Sequence, residues 1–212
     1  MKALIVALFA ILIAQTSSAE GERAGDFDYY VLALSWAPNW CALEGDDRNA
    51  PQCDASADAG WILHGLWPQF VNGWPSYCRT SARDPSRSQT RAQADLFGTG
   101  GSAWYQWKKH GRCAGLAADD YFDLAREAYV AVTRPPLLRQ LQKPVRLPAS
   151  VIEDAFLADN PDMSSDQITV SCKSRQIQEV RICFTKDLDL RACSGSVARD
   201  CTLQDAGFAP IR

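Results

Sequence analysis

Apolar side chains fall into three successive patterns along the chain, and each predicts a different element. Ala3 to Ala14 is an unbroken apolar stretch, preceded by Met1 and Lys2 and followed by Gln15, Thr16 and the small residues Ser17, Ser18 and Ala19. A cationic start, a short apolar run and small residues form the layout of a secretory signal peptide, over residues 1–19, cleaved after Ala19. The run is too short and too polar in its flank to serve as a membrane anchor. From Asp28 to Trp36 the sequence DYYVLALSW is apolar and aromatic and reads as a buried strand. Trp61 to Leu66 reads as a second core strand, stopped by Pro68. Ala42 to Gly60 is small, polar and broken by Pro51, and Gly73 to about Arg91 is rich in Ser, Arg and Pro, so both read as loops.

The period then changes. Asp119 to Val132 places Tyr121, Phe122, Leu124, Ala125, Ala128, Tyr129 and Val132 toward one helical face, with Pro135 and Pro136 ending the helix. Pro148 precedes a second helix, in which Ser150 and Glu153 have capping-box spacing. Beyond Pro161 strand patterns return, through Ile168 and Val170, then Ile177, Val180, Ile182 and Phe184, with Leu188 and Leu190 beyond. Nothing repeats and no low-complexity linker divides the chain. Strands, helices and strands again predict an α+β fold, a mainly antiparallel sheet packed with helices, in a single domain over residues 20–212.

Cysteine usage sharpens this picture. Eight cysteines in an exported chain are most simply four disulfides. No Cys-x-x-Cys pair is present and neither histidine stands at zinc-finger spacing, which argues against a structural metal. Spacing alone leaves about a hundred pairings open. Four of the cysteines crowd between Cys172 and Cys201, where two nested bridges would staple a C-terminal sheet. The formal charge of -3 and pI near 5.4 exclude a protein that coats nucleic acid through bulk charge. They leave room for an enzyme that handles an anion in a locally basic cleft, and Lys108, Lys109 and Arg112 surround His110.

The chain has only two histidines, each followed by glycine: His64 in WILHGLWPQ and His110 in WYQWKKHGRC. Displacement at phosphorus needs a proton taken from the nucleophile and a proton given to the leaving group, which two imidazoles supply near neutral pH. Gly65 allows a turn or a close approach of substrate. On a helix Gln106 and His110, four apart, share a face. Trp61, Trp67, Trp104 and Trp107, four of the seven tryptophans, lie beside the histidines, where they can wall a site or stack on bases. Trp36 and Trp61 read as core, and Lys108 as a solvated charge. Arg79, Arg83, Arg87 and Arg91 form at most a weak phosphate track.

HGLWP and KHG-x-C resemble the two active-site segments of the ribonuclease T2 family, in order and separation. FDYYVLALSWAPNWC resembles the family's first core strand, and the eight cysteines fit its pattern. The resemblance implies a T2-like α+β fold and an endoribonuclease of broad base tolerance. Single-stranded RNA would be cleaved through a 2',3'-cyclic phosphate to 3'-phosphate ends, with no metal or cofactor. It also implies roles by position: His110 as general base on the 2'-hydroxyl, His64 as general acid on the departing 5'-oxygen, and Lys109 against the charge of the phosphorane. Trp67, Tyr105 and Trp107 would contact substrate. The disulfides it implies are Cys41 with Cys53, Cys78 with Cys113, Cys172 with Cys201 and Cys183 with Cys193. The second of these would hold the two catalytic segments together.

Where many members carry His-Glu four to five residues before the second histidine, this chain has Tyr105 and Gln106. An amide can hydrogen-bond a phosphate but cannot take a proton, so re-tuned or reduced activity is expected rather than none. The protein is expected to be secreted or periplasmic, without a membrane anchor, and monomeric. Two other classes compete: a non-catalytic RNA- or partner-binding protein on the same scaffold, and a phosphoester hydrolase with a histidine nucleophile, which would also act on substrates lacking a 2'-hydroxyl.

Overall fold

The computed structural model of the chain describes residues 22–212, so the signal-peptide reading lies outside the described residues. The sheet has six strands: β1 (Tyr29–Trp36), β2 (Trp61–Gln69), β3 (Val145–Leu147), β4 (Ile168–Lys173), β5 (Gln176–Phe184) and β6 (Ala206–Phe208). Its centre is antiparallel, with β1 between β2 and β5 and with β4 on the other side of β5. Gln176 and Gly207 make a single parallel pair that attaches β6, which in turn carries β3 antiparallel. Among the described residues six α-helices accompany the sheet: α1 (Ala37–Trp40), α2 (Arg87–Arg91), α3 (Ala94–Phe97), α4 (Gly100–Lys109), α5 (Ala118–Ala131) and α6 (Ser150–Asp159). The α+β expectation therefore holds.

Alternation along β1 splits the sheet into two faces of different use. Tyr30, Leu32, Leu34 and Trp36 point with Val180, Ile182 and Phe184 into the main core, against Tyr121, Phe122, Ala125 and Ala128 of α5. Tyr29 and Val31 point the other way, with Cys183, Val197 and Trp67. The two histidines open onto a cavity that borders this second face. Helix α5 also bolts down the sheet edge: Tyr129 donates to the Trp61 carbonyl at 3.0 Å and Tyr121 to the Leu66 carbonyl at 2.9 Å. Two carbonyls of the edge strand β2, on either side of His64, are satisfied in this way.

All four disulfides are those the resemblance implies: Cys41–Cys53, Cys78–Cys113, Cys172–Cys201 and Cys183–Cys193. Several local expectations are corrected. Pro68 does not stop β2, which runs through it to Gln69; β2 pairs only with β1, and an edge strand tolerates a residue with no N–H to donate. The segment read as a loop to Arg91 ends in α2, because Ser86 and Gln89 form a capping box, each side chain accepting from the other's backbone N–H. The capping box expected at Ser150 does not form, since α6 starts one residue earlier, with Ala149 as N-cap and Ser150 already helical. Leu188 and Leu190 make no strand beyond a single bridge of Leu190 to Phe184.

Candidate active site

His64 owes its position to an irregularity in β2. Ala33 pairs with Gly65 and Leu34 with Leu63, so His64 is an extra residue with no partner on β1. A β-bulge of this kind re-aims one side chain while the strand continues. The imidazole is 42% exposed, and its Nδ1 lies 2.5 Å from Glu179 Oε1. Glu179 stands on β5, its side chain almost fully buried, and its other oxygen accepts from Arg181 Nε at 2.9 Å and Nη2 at 2.7 Å. Burial pushes this carboxyl up, but the His64 hydrogen bond and the Arg181 charge outweigh it and hold it at about 2. A permanent carboxylate on Nδ1 fixes the tautomer and leaves Nε2 of His64 free for chemistry.

His110 is placed by α4. It is the C-cap, its N–H donating to the Gln106 carbonyl at 2.9 Å. Its surroundings are the reverse of those of His64. It is 5% exposed, and its Nδ1 is buried with no hydrogen-bond partner. Burial above all, with Lys109 and His64 as neighbouring positive charges, pushes the imidazole down to about 3. It is therefore neutral over the physiological range.

The indole of Trp67 stands between the two, its ring centroid 5.1 Å from that of His64 and 5.2 Å from that of His110. Its Nε1 donates to Gln106 Oε1 at 2.9 Å. Gly65 makes this bond possible, since a Cβ there would lie 2.2 Å from the indole nitrogen and 2.5 Å from the amide oxygen. A cavity of about 210 Å³ opens over this group and is lined by His64, Trp67, Tyr105, Gln106, Lys109 and His110 among others.

Six sequence-predicted site residues thus meet in one cleft, and one does not. Trp107 points to the other side of α4, fully buried against Tyr121 with its Nε1 on Asp84 at 2.9 Å, so it belongs to the core rather than to substrate contact. The Gln106 side chain serves Trp67, and its link to His110 runs through the backbone. Lys109 lies at the cleft with its Nζ 5.9 Å from the centroid of the exposed Tyr105 ring. Sequence reasoning misses Glu179, Arg181 and Trp74; Arg181 and Trp74 line the cleft and Glu179 supports it. The signal for the pair is a carboxylate and an arginine two apart on one face of the apolar run IQEVRICF. Among the described residues, no group of three or more His, Cys, Asp or Glu is arranged to hold a metal ion, and no helix is long and apolar enough to cross a membrane.

The family model described as "Ribonuclease T2 family" matches residues 27–193, a span that includes both histidine segments and every disulfide except the one ending at Cys201. The chain belongs to the ribonuclease T2 family. A ribonuclease of Aeromonas hydrophila is 42% identical over 130 residues, 60% of this chain and 57% of that protein. A probable ribonuclease of Haemophilus influenzae is 34% identical over 122 residues, 51% of this chain and 44% of the relative. The matched region thus spans about half the length of these relatives. The T2 fold itself recurs in the RNase-related protein from Calystegia sepium, with a TM-score of 0.68 at 20% identity, covering 88% of this chain and 98% of that one.

Proposed function

We propose that the protein is an endoribonuclease that cleaves single-stranded RNA by transesterification between two histidines. The observation that carries this reading is the pair of imidazoles set across one indole in opposite proton environments. His110, neutral and buried, takes the proton of the 2'-hydroxyl as its oxygen attacks phosphorus. His64, backed by the Glu179 carboxylate, gives a proton to the 5'-oxygen as the P–O5' bond breaks. In the second step the roles reverse: His64 takes a proton from water, His110 returns its proton to the 2'-oxygen, and a 3'-phosphate results. The ammonium of Lys109 meets the negative charge that builds on the non-bridging oxygens. No step calls for a metal or a cofactor. Glu179 is a positioning residue, acting on the substrate only through His64.

Trp74 is 53% exposed at the cleft and offers a face on which any base can stack, which supports broad base tolerance. Four disulfides suit an oxidising compartment, as expected of a secreted or periplasmic enzyme.

The test is cleavage of a short single-stranded RNA, and of the same sequence in DNA, by the oxidised protein in excess chelator. RNA alone should be cut, leaving 2',3'-cyclic and 3'-phosphate ends identified by mass spectrometry. His64→Ala and His110→Ala should each lower kcat/KM by about 10³-fold or more. RNA that is bound but left intact between pH 4 and 8 would make this scaffold a binding protein. Cleavage of DNA would point to a histidine nucleophile instead.

A further inference from the structure

Tyr105, at the cleft, has an aromatic neighbour outside it. Tyr77 lies next along the surface, its backbone N–H donating to the Lys109 carbonyl at 2.8 Å and the following residue, Cys78, bonded to Cys113. Its φ is +51°, a left-handed conformation that costs a non-glycine residue about 1 kcal/mol, and the surrounding bonds hold it there. The hydroxyls of Tyr77 and Tyr105 are neighbours. With Trp74, these two are the only exposed aromatic side chains among the described residues; Trp74 and Tyr105 line the cleft and Tyr77 adjoins Tyr105. On the far side of Tyr77 a groove of about 500 Å³ opens, walled by Arg79, Lys108 and Arg112.

Three cations, Arg79, Lys108 and Arg112, line this groove against one acid, Asp84. Residues 70–117 carry seven lysines and arginines against two acids, Asp84 and Asp95, a net +5 in a chain of net -3. Both acids are occupied: Asp95 pairs with Arg126, outside this segment, and Asp84 with Arg112. Arg112 donates from Nε at 3.1 Å and from Nη2 at 2.6 Å to Asp84, which Trp107 holds from behind. The guanidinium is thereby fixed with Nη1 unused. Among the described residues, Arg79 and Lys108 enter no salt bridge.

We propose that this groove binds the phosphodiester backbone of the RNA strand that flanks the nucleotide in the cleft. Tyr77 carries the strand from one compartment to the other, and Arg79 and Lys108 each meet a phosphate beside the pre-set Arg112. Ammonium and guanidinium groups that are exposed, unpaired and next to stacking rings are what a single strand of unspecified sequence requires. The inference rests on the endoribonuclease reading and extends it from one linkage to a run of nucleotides.

The experiment compares a dinucleoside monophosphate with an octanucleotide as substrates of the wild type and of the double variant Arg79→Gln/Lys108→Gln. The dinucleoside cannot reach the groove, so its kcat/KM should be the same in both proteins. Octanucleotide cleavage by the variant should fall by about tenfold or more. The slope of log(kcat/KM) against log[salt] should flatten by about 1.4, or ~0.7 for each phosphate that the variant leaves without a cation. An unchanged octanucleotide rate and slope would overturn the groove and leave the cleft reading intact. A wild type that cuts neither substrate overturns the cleft reading instead. In that case the groove is judged by anisotropy of a labelled octanucleotide, where an equal Kd for both proteins defeats it.

Discussion

The two histidines are alike in sequence and opposite in setting. His64 is lifted out of an edge strand by a bulge, half-exposed, and bonded to a carboxylate that is itself locked by an arginine. His110 is sealed at a helix end, beside a lysine, with one ring nitrogen buried and unpartnered. The first setting gives Nδ1 a carboxylate partner and orients the ring; the second favours a neutral ring and fixes nothing but its position. A fold can thus give two rings of one residue type different surroundings, one at a carboxylate and one sealed from water, without changing the residue.

The strongest way to break this contrast is to neutralise the acid side. Glu179→Gln keeps the shape but offers one acceptor to two donors, His64 and Arg181. We expect kcat to fall by about 10²-fold with KM little changed, since Glu179 touches no substrate. Loss of the charge-assisted hydrogen bonds that Glu179 accepts should also cost about 2 kcal/mol in urea unfolding. An unaltered kcat in a folded variant would reduce Glu179 to a packing residue.

The base side is reached through pH. The folded His110 titrates at about 3, whereas the unfolded residue titrates near the ordinary histidine value of 6.5. Between those values the unfolded chain holds a proton that the folded chain refuses, so this contribution is complete above 6.5 and is lost as pH falls toward 3. Between pH 7 and 4 it amounts to roughly 3 kcal/mol. His110→Gln cannot titrate, so its unfolding free energy should drop by about that much less over the same interval. Glu179 loses its own contribution lower down, as pH falls through 4.5 toward 2, and does so in both proteins. Parallel curves for wild type and His110→Gln would show that burial of this ring carries no proton penalty.

Much of this is legible in local sequence, and the remainder is not, for a physical reason. The apolar runs of β1 and β5 and the 3.6-residue period of α5 are local patterns, and they place the core nearly residue by residue. The two histidine segments, through their resemblance to a known family, place six site residues in one cleft. What escapes depends on partners far away in the chain. Glu179 lies 115 residues from His64, and nothing near position 179 reveals that a bulge will bring an imidazole to it. Trp107 could face either side of α4 until Asp84, 23 residues earlier, and Tyr121 claim it for the core. Pro68 looks like a strand end only because sequence does not reveal that β2 is an edge.

Gln106 offers the smallest and most discriminating change. Its side-chain oxygen accepts from Trp67, and a carboxylate can do the same, so Gln106→Glu keeps that bond while placing a negative charge one helical turn from His110. An imidazole held at about 3 is a ready base at any ordinary pH but a weak one, because efficient proton transfer wants a base whose affinity lies near the working pH. The added charge favours the imidazolium, raising the affinity of His110 for its proton by about one unit. Two effects of opposite sign follow. At pH 7, where the ring stays neutral, kcat/KM should rise, by at most about tenfold, as the base strengthens. The acid limb of the kcat/KM profile should move up by about the same unit, so that the variant is surpassed by the wild type at the acid end. A pH–rate series for the two proteins reads both at once. If the limb stays in place while the rate changes, Gln106 acts through Trp67 alone and the two histidines are tuned independently of this position.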